Sequence, residues 1–162
     1  MERTDVREVV GRFFAELWNG RAFAVADEIV ATDCVTHQLR SGDGPLPAEA
    51  RGPAALTEHI ASWVAAFPDI LADVEAQVAE GDRVVSWVAM RGTHRGHWMG
   101  VPPTGWPVVI RCVTMHRVRD GRIVEDWVLT EALGFLQQLG LVAATPQLLE
   151  AAARRPAAPL GG

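Results

Sequence analysis

Two neighbouring stretches of the chain, residues 110–118 and 123–131, alternate apolar side chains with a histidine and several carboxylates. An imidazole beside a carboxylate can take up and return a proton near neutral pH, which is the basis of general acid/base catalysis. Asp120 and Gly121 separate the two stretches, and this pair favours a two-residue hairpin turn because both residues tolerate positive φ angles. The sequence therefore predicts two antiparallel strands that carry proton-transfer groups.

The pairing of these strands decides which groups meet. Counting away from the predicted turn sets His116 opposite Glu125 and Ile110 opposite Glu131, on one face together with Trp127. The other face is the more polar one. It would carry Arg111, Arg117, Arg119, Arg122 and Asp126. We expect the first face to form the wall of a pocket.

Glu131 stands where the pattern changes from strand to helix. One interpretation is a helix-capping carboxylate, because acidic side chains are favoured at a helix N-terminus. The other is a general acid/base, since a carboxylate near Ile110, Trp127 and Leu129 should have a raised pKa. We predict a catalytic role for Glu131.

Histidines supply the other catalytic candidates, His116 and His97. His116 with Glu125 is either a structural pair or a histidine oriented by its carboxylate, able to hold a developing alkoxide. His97 lies in a loop rich in glycine and proline, where it can contact substrate, whereas His94 is assigned to turn support. His37 either faces the substrate or is a satisfied core histidine. Nothing marks a third metal ligand beside these histidines, so no metal site is predicted.

Aromatic side chains are core residues by default. Several are nevertheless expected to bind substrate, together with His37 and Glu125: Trp63, Trp98, Trp106 and Trp127. Trp98 and Trp106 lie on the loop and are the best placed to stack on a flat substrate.

Composition excludes several classes of function. The 162 residues carry a formal net charge of −5 without a basic stripe, which argues against a nucleic-acid or anionic-membrane partner. No apolar run approaches the roughly 20 residues of a membrane span, and no signal peptide is recognisable, so we expect a cytoplasmic protein. Lysine and tyrosine are absent, which excludes lysine Schiff bases and phenolic oxyanion donors. Cys34 and Cys112 are expected to be buried free thiols.

Helices precede strands along most of the chain. Helical periodicity predicts helices that begin near Asp5, Ala22 and Gly52, with a short strand at residues 34–38 and an exposed loop at residues 41–51. Strands at residues 70–80 and 83–94 precede the hairpin, and helices follow it to Leu139 and at residues 146–154. Residues 155–162 are expected to be disordered. This order favours an α+β fold in which a curved, mostly antiparallel sheet wraps around three N-terminal helices.

The chain resembles the SnoaL-like polyketide cyclases of the nuclear transport factor two-like superfamily. The matching motifs are Phe67-Pro68-Asp69, Glu80-Gly81-Asp82, Gly92-Thr93-His94-Arg95-Gly96, Gly100-Val101-Pro102-Pro103-Thr104-Gly105 and residues 120–127, DGRIVEDW. The resemblance covers roughly residues 5–140 and implies a cone-shaped α+β barrel. We therefore divide the chain into a cone domain at residues 1–144 and a short helix and disordered tail at residues 145–162.

Members of that family close rings without a metal or cofactor, using an inward aspartate as the acid/base, and they usually dimerise through the outer sheet face. The resemblance implies that Glu131 occupies the position of that aspartate in this chain. It implies a cofactor-free cyclase of secondary metabolism, acting on a polyketide or related small molecule by aldol-type or epoxide-opening closure. An epoxide hydrolase and a ligand-binding module without chemistry are the alternatives.

Overall fold

The computed structural model describes residues 5–39 and 52–154. The predicted loop at residues 41–51 and the predicted tail at residues 155–162 lie outside this part of the chain. Helix α1 (Val6–Arg12) begins at Asp5, whose Oδ1 accepts a hydrogen bond from the Arg7 amide at 2.9 Å. The first predicted helix is thereby confirmed.

The first helix continues as a π-helical segment, Phe13–Asn19. This segment buries two adjacent aromatic residues, Phe13 and Phe14, along with Leu17 and Trp18. Short π-helical turns are often found at functional sites, because they change the direction in which side chains project from the helix. Here the segment directs a group of aromatic rings toward the sheet.

The second predicted helix is shorter than expected. It consists of a 3₁₀ turn, Phe23–Val25, and helix α2 (Ala26–Ile29), after which strand β1 begins at Val30. The β-branched Ile29 and Val30 favour the change to extended backbone. Helix α3 (Gly52–Ala66) starts at a glycine with φ of +74°, where a Cβ atom would lie 2.5 Å from the Thr32 carbonyl oxygen.

Within the described residues, five strands form one curved sheet in the order β1-β5-β4-β3-β2. The strands are β1 (Val30–Leu39), β2 (Leu71–Glu80), β3 (Arg83–Thr93), β4 (Pro107–Arg119) and β5 (Arg122–Thr130). Strand β1 runs parallel to β5, and all other neighbours are antiparallel. The predicted α+β class is confirmed, with a sheet that packs around the helices without closing on itself.

Two further helices follow the sheet, as predicted. Helix α4 (Ala132–Gln138) packs against β4, whereas helix α5 (Thr145–Ala153) has no buried residue. The Gln137 side chain connects the two helices, because its Nε2 donates to the Ala143 carbonyl at 2.9 Å and to Thr145 Oγ1 at 3.2 Å. None of the helices in residues 5–39 and 52–154 is long and apolar enough to cross a membrane.

The hydrophobic core lies between the helices and the inner face of the sheet. Alternate residues of β3 and β4 point into it, where α1 packs against both strands, and α3 packs against β1. Its largest fully buried members include Val10, Leu17, Ile60, Phe67, Val84 and Ile110. Cys34 and Cys112 are buried and free, as predicted.

Candidate active site

The hairpin between β4 and β5 contains a bulge that changes which residues face the core. Asp120 (φ 51°) and Gly121 (φ 73°) form the predicted turn, and Val118 pairs with Ile123 as predicted. The register then shifts between Arg117 and Val118. A bulge sets two residues of one strand opposite one residue of its partner, so every later side chain of β5 changes face.

The predicted pairing of His116 with Glu125 is therefore wrong. His116 pairs with Asp126, and Glu125 pairs with Arg117 on the outer face. The predicted position of Glu131 opposite Ile110 is also wrong, since its amide bonds to the carbonyl of Arg111 at 2.8 Å. Asp126, assigned from the sequence to the polar outer face, instead lies inside.

His116 and Asp126 form a completely enclosed pair. Their side chains are 0% and 4% exposed, and His116 Nε2 lies 3.5 Å from Asp126 Oδ1. The ring of Phe13 lies edge-on to the imidazole, with 4.6 Å between ring centroids, and Phe14 lies 5.8 Å away. The π-helical segment thus supplies an apolar cover over the imidazole of His116.

Burial disfavours the charged form of both groups. It raises the pKa of Asp126 from 3.8 to about 7 and lowers the pKa of His116 from 6.5 to about 3. Near neutral pH the imidazole is therefore neutral, and Asp126 populates both its protonated and its ionised form. A carboxyl group in this condition can donate a proton and accept one at the same pH.

Several polar atoms around this pair have no hydrogen-bond partner in the described part of the chain. They are both ring nitrogens of His116, Oδ1 of Asp126 and Oγ1 of Thr114. Buried polar atoms are normally paired, and unpaired groups recur where a protein binds a ligand or performs chemistry. Their concentration on one patch of the inner sheet face marks that patch as the candidate site.

A cavity of about 740 Å³ opens onto Asp126 and Thr114. Its wall is mainly apolar and aromatic and includes Phe14, Trp18, Leu56, Trp63, Met90 and Phe135. Two of its polar side chains, Asp126 and Thr114, lie deep inside. Others are His59 on α3, His97 in the loop after β3 and Glu131 at the start of α4. A volume of this order accommodates a small organic molecule of several rings.

A second concavity, of about 620 Å³, lies more openly at the edge of the sheet around Asn19, Asp69 and Arg91. Its polar side chains are engaged within the protein. Asn19 bonds to the backbone of Ala72, and Asp69 accepts from the amide and hydroxyl of Thr93, both at 2.7 Å. The enclosed cavity at Asp126 is therefore the better candidate for chemistry.

Glu131 caps helix α4. Its Oε1 accepts a hydrogen bond from the Gly134 amide at 2.9 Å, and its side chain is exposed at the cavity. Gly134 permits this close approach, because a Cβ atom there would lie 2.3 Å from Glu131 Oε2. The structure therefore supports the capping interpretation of Glu131 and does not test the catalytic role predicted for it.

The predicted site residues of the loop and of α3 divide into two groups. His97, Trp98 and Trp63 line the cavity, where the Trp98 and Trp63 rings lie 6.0 Å apart. Trp106 lies outside the residues that line the cavity and packs over Gly140, 3.1 Å from where a Cβ atom would stand.

His94 has the structural role that the sequence predicts. Its Nδ1 accepts from the Thr104 amide at 3.2 Å, and its backbone amide bonds to the Trp106 carbonyl. Its ring also stacks on Phe67, with 5.1 Å between centroids. The described residues contain no group of three histidine, cysteine or acidic side chains arranged to hold a metal ion.

The remaining predicted residues, His37, Glu125 and Trp127, meet on the outer face of the sheet. His37 stacks on Trp127 with ring centroids 5.0 Å apart. Glu125 forms an ion pair with Arg117 at 2.5 Å and lies 3.6 Å from His37. The structure thus brings these three residues together, but on the side of the sheet opposite to the cavity.

Both cysteines lie close enough to Asp126 to be influenced by its charge. Burial raises the pKa of Cys112 to about 11 and that of Cys34 to about 12, and the Asp126 carboxylate acts in the same direction. The thiolate is the nucleophilic form of cysteine, so neither residue is prepared for covalent catalysis. The carboxyl of Asp126 is therefore the candidate proton-transfer group of this cavity.

Asp126 and Thr114 are the two deep polar residues whose importance the sequence did not indicate. The alternation along β5 is equally compatible with either face being buried, so only the bulge reveals the burial of Asp126. Thr114 is ordinary for a strand, and it attracts notice only through its unpaired oxygen.

Comparisons with known proteins agree with this architecture. The sequence profile of the SnoaL-like polyketide cyclases matches residues 8–139. Among solved structures, the chain is similar to wild-type IdmH from Streptomyces antibioticus, a candidate polyketide cyclase, with 32% identity and a TM-score of 0.72 over 84% of this chain and 99% of that one. A comparison with curated protein sequences finds no match.

Two other solved structures are similar. AclR from Streptomyces galilaeus, a candidate hydroxylase, shares 27% identity with a TM-score of 0.74, over 94% of this chain and 92% of that one. A candidate polyketide cyclase from Acidithiobacillus ferrooxidans shares 28% identity with a TM-score of 0.70, over 88% of this chain and all of its own. With a family profile that spans most of its length and a relative above 30% identity, this chain belongs to the SnoaL-like polyketide cyclase family.

Proposed function

We propose that this protein is a cofactor-independent cyclase that closes a ring on a polyketide or related small molecule, with Asp126 as the acid/base. The observation that carries the proposal is the carboxyl of Asp126, buried and unpaired at Oδ1 on the wall of a largely apolar cavity. Burial holds the pKa of this carboxyl at about 7, the range in which a group both takes and returns protons.

The proposed step is an intramolecular aldol closure. The Asp126 carboxylate removes a proton from a carbon next to a substrate carbonyl, and the resulting enolate carbon forms a bond to a second carbonyl carbon of the same molecule. The alkoxide formed there takes the proton back from Asp126. No atom is gained or lost and no electrons leave the substrate, so the step requires no redox cofactor.

We assign His116 to positioning Asp126. Its imidazole lies 3.5 Å from Asp126 Oδ1 and behind the cavity wall, in contact with two aromatic rings of the π-helical segment. As a neutral ring it can offer the carboxyl an N–H group without a competing charge. His116→Gln is expected to shift the pH at which activity is half-maximal, because the environment of the carboxyl changes.

Epoxide-opening closure is the second candidate. The raised pKa of Asp126 provides a protonated carboxyl near neutral pH, and such a group can protonate an epoxide oxygen as an internal nucleophile opens the ring. The two reactions share the residue and differ in the first proton transfer. Aldol closure begins with removal of a proton from carbon, and epoxide opening begins with protonation of oxygen.

Hydrogen exchange in heavy water tests the proposal. We expect the wild-type protein to catalyse deuterium uptake at the α carbon of polycyclic aryl ketones, measured by mass spectrometry, and Asp126→Asn to lose this activity. Opening of aryl epoxides without ketone exchange would favour the second candidate. Ligand binding without either reaction would overturn the enzymatic proposal in favour of a binding module.

We also propose a homodimer formed through the outer face of the sheet. Large apolar side chains are exposed there on neighbouring strands: Val78, Val85, Trp87 and Leu129. Trp87 pairs across the ladder with Val113, and Val85 pairs with Met115, so the apolar surface is continuous across strands. A second copy of this chain would remove that surface from water, as isologous interfaces do.

A further inference from the structure

Two buried hydroxyl groups face each other across β3 and β4, and only one of them is satisfied. Ser86 pairs with Thr114 in the ladder, and both side chains point to the inner face. Ser86 Oγ accepts a hydrogen bond from Gln77 Nε2 at 3.0 Å. Thr114 Oγ1 has no partner among the described residues, although Thr114 is only 6% exposed.

The position of Thr114 explains what its hydroxyl can reach. Thr114 lines the cavity, as Asp126 does. It lies two residues before His116 on β4, and the cross-strand partner of His116 is Asp126, so Thr114 and Asp126 are diagonal neighbours on the inner face. Diagonal neighbours in an antiparallel pair lie roughly 7–8 Å apart at the backbone, and their side chains can approach more closely. A carbonyl group and its adjacent carbon fit between two such side chains.

Of the other polar side chains that line the cavity, His97, Thr130 and Glu131 are at least partly exposed, whereas those of α3 have hydrogen-bond partners. Ser62 donates to the His59 carbonyl at 2.6 Å, and Trp63 donates to His59 Nε2 at 3.2 Å. Thr114 Oγ1 and Asp126 Oδ1 are therefore the deep cavity-lining atoms that a ligand would satisfy. A hydroxyl can donate to an oxygen, whereas an ionised carboxylate can only accept.

We propose that the Thr114 hydroxyl donates a hydrogen bond to a substrate carbonyl oxygen, next to the carbon on which Asp126 acts. This inference rests on the proposed function and adds a specificity-determining residue, the hydroxyl that binds the carbonyl oxygen of the ketone. As the proton leaves carbon, negative charge develops on the carbonyl oxygen. A fixed donor at that oxygen stabilises the charge where it forms.

A matched pair of ligands tests the hydrogen bond without any turnover. Fluorenone and fluorene share one flat, neutral ring system and differ by a carbonyl in place of a methylene, and neither can undergo the proposed reaction. Their dissociation constants can be measured by quenching of the tryptophans that line the cavity, Trp18, Trp63 and Trp98. We expect the wild type to prefer fluorenone by roughly 3- to 10-fold, as a net hydrogen bond implies.

Variants then assign the preference to one hydroxyl. Thr114→Val keeps the side-chain shape and should bring the two dissociation constants to about the same value, whereas Thr114→Ser should retain the preference. Ser86→Ala is the matched control, because it removes the neighbouring hydroxyl that is already bonded to Gln77. It should lower the melting temperature and leave the ligand preference unchanged.

The proposal is overturned by an unchanged fluorenone preference in Thr114→Val, by the lack of any preference in the wild type, or by failure of both ligands to bind. Its failure is distinguishable from failure of the proposed function, since Asp126→Asn should still prefer fluorenone even though it cannot exchange protons. A melting temperature for Thr114→Val at or above the wild-type value is also expected, because removing an unpaired buried hydroxyl does not break a bond within the protein.

Discussion

Two pairs of histidine and carboxylate lie on opposite faces of the same part of the sheet and have different environments. On the inner face, His116 and Asp126 are buried, and both ring nitrogens of His116 and Oδ1 of Asp126 lack hydrogen-bond partners among the described residues. On the outer face, Glu125 is partly exposed and bonded to Arg117, with His37 nearby. Similar side chains on the two faces of the sheet thus differ in solvation and in charge compensation.

This difference separates a structural pair from a chemical one. Partly exposed ion pairs contribute little to stability. A buried carboxyl without a cationic partner has a raised pKa and can exchange protons near neutral pH. The bulge at Arg117 and Val118 decides which carboxylate of β5 takes which role.

The largest effect is expected from Asp126→Asn compared with Glu125→Gln. Both changes replace a carboxylate by its neutral amide at adjacent positions of β5. Asp126→Asn should reduce the rate of deuterium exchange by about 10²- to 10⁴-fold, the usual contribution of a general acid/base. Glu125→Gln should change it by less than about 3-fold, because its side chain lies on the other face. Equal losses in both variants would show that the two faces are not functionally distinct.

The pH dependence of stability sharpens the comparison. The pKa of Asp126 is raised on folding, so the stability linked to this group is fully present below pH 3.8 and is lost as the pH rises through about 7. The pKa of His116 is lowered on folding, so its linked stability is lost as the pH falls from 6.5 toward 3. Where the two pH ranges overlap, a rise in pH therefore lowers the stability through Asp126 and raises it through His116.

Asp126→Asn removes the part of the pH dependence of stability that comes from Asp126. Below about pH 4 the variant and the wild type should have similar stability, because both carry a neutral group at this position. By about pH 8 the variant should be more stable, by on the order of a few kcal/mol, since it avoids the buried charge. Melting temperatures across this range check the prediction. A stability difference that does not change with pH would mean that Asp126 titrates normally.

A charge introduced on the outer face of the sheet is expected to prevent formation of the proposed dimer. Trp87→Arg places a charge at the centre of the exposed apolar surface, where a tryptophan is 47% exposed. We expect light scattering to give a dimer mass for the wild type and a monomer mass for the variant at micromolar concentration. Fluorenone binding should persist in the variant, because Trp87 points away from the cavity. A monomeric wild type would contradict the proposed dimer.

The smallest effect is expected from Glu131→Gln. Glutamine is a poor substitute for a carboxylate at an N-cap, so the free energy of unfolding should fall by about 0.5–1 kcal/mol while the exchange rate changes by less than about 3-fold. Denaturant titration and the exchange assay measure the two quantities. If the exchange rate instead fell 10²-fold or more with stability retained, the acid/base role would belong to Glu131.

Local patterns in the sequence were sufficient to predict much of this architecture. The turn-forming residues Asp120 and Gly121 predict the hairpin, and the capping carboxylate of Asp5 predicts the start of α1. Apolar periodicity predicts α3. Each of these signals acts over a few residues. The family motifs then indicate how the elements assemble, and the profile match over residues 8–139 confirms that assignment.

The candidate site depended on information that is not local. Residues 123–131 carry apolar and acidic side chains on both alternating faces, so alternation cannot tell a regular hairpin from one with a bulge. The burial of Asp126 and His116 also depends on Phe13 and Phe14, more than 100 positions earlier in the chain. The sequence indicated that His116 faces the core, but it assigned Glu125 as its partner, and the bulge places Asp126 there instead.

The central claim is that burial keeps Asp126 protonated up to neutral pH, and a direct titration of its carboxyl tests this. Carbon-13 NMR of protein labelled at the aspartate carboxyl carbons can follow the residue, with Asp126→Asn used to assign its signal. The account predicts a titration midpoint near pH 7 for Asp126, in agreement with its raised pKa of about 7. A midpoint near 3.8, the ordinary value for aspartate, would contradict it.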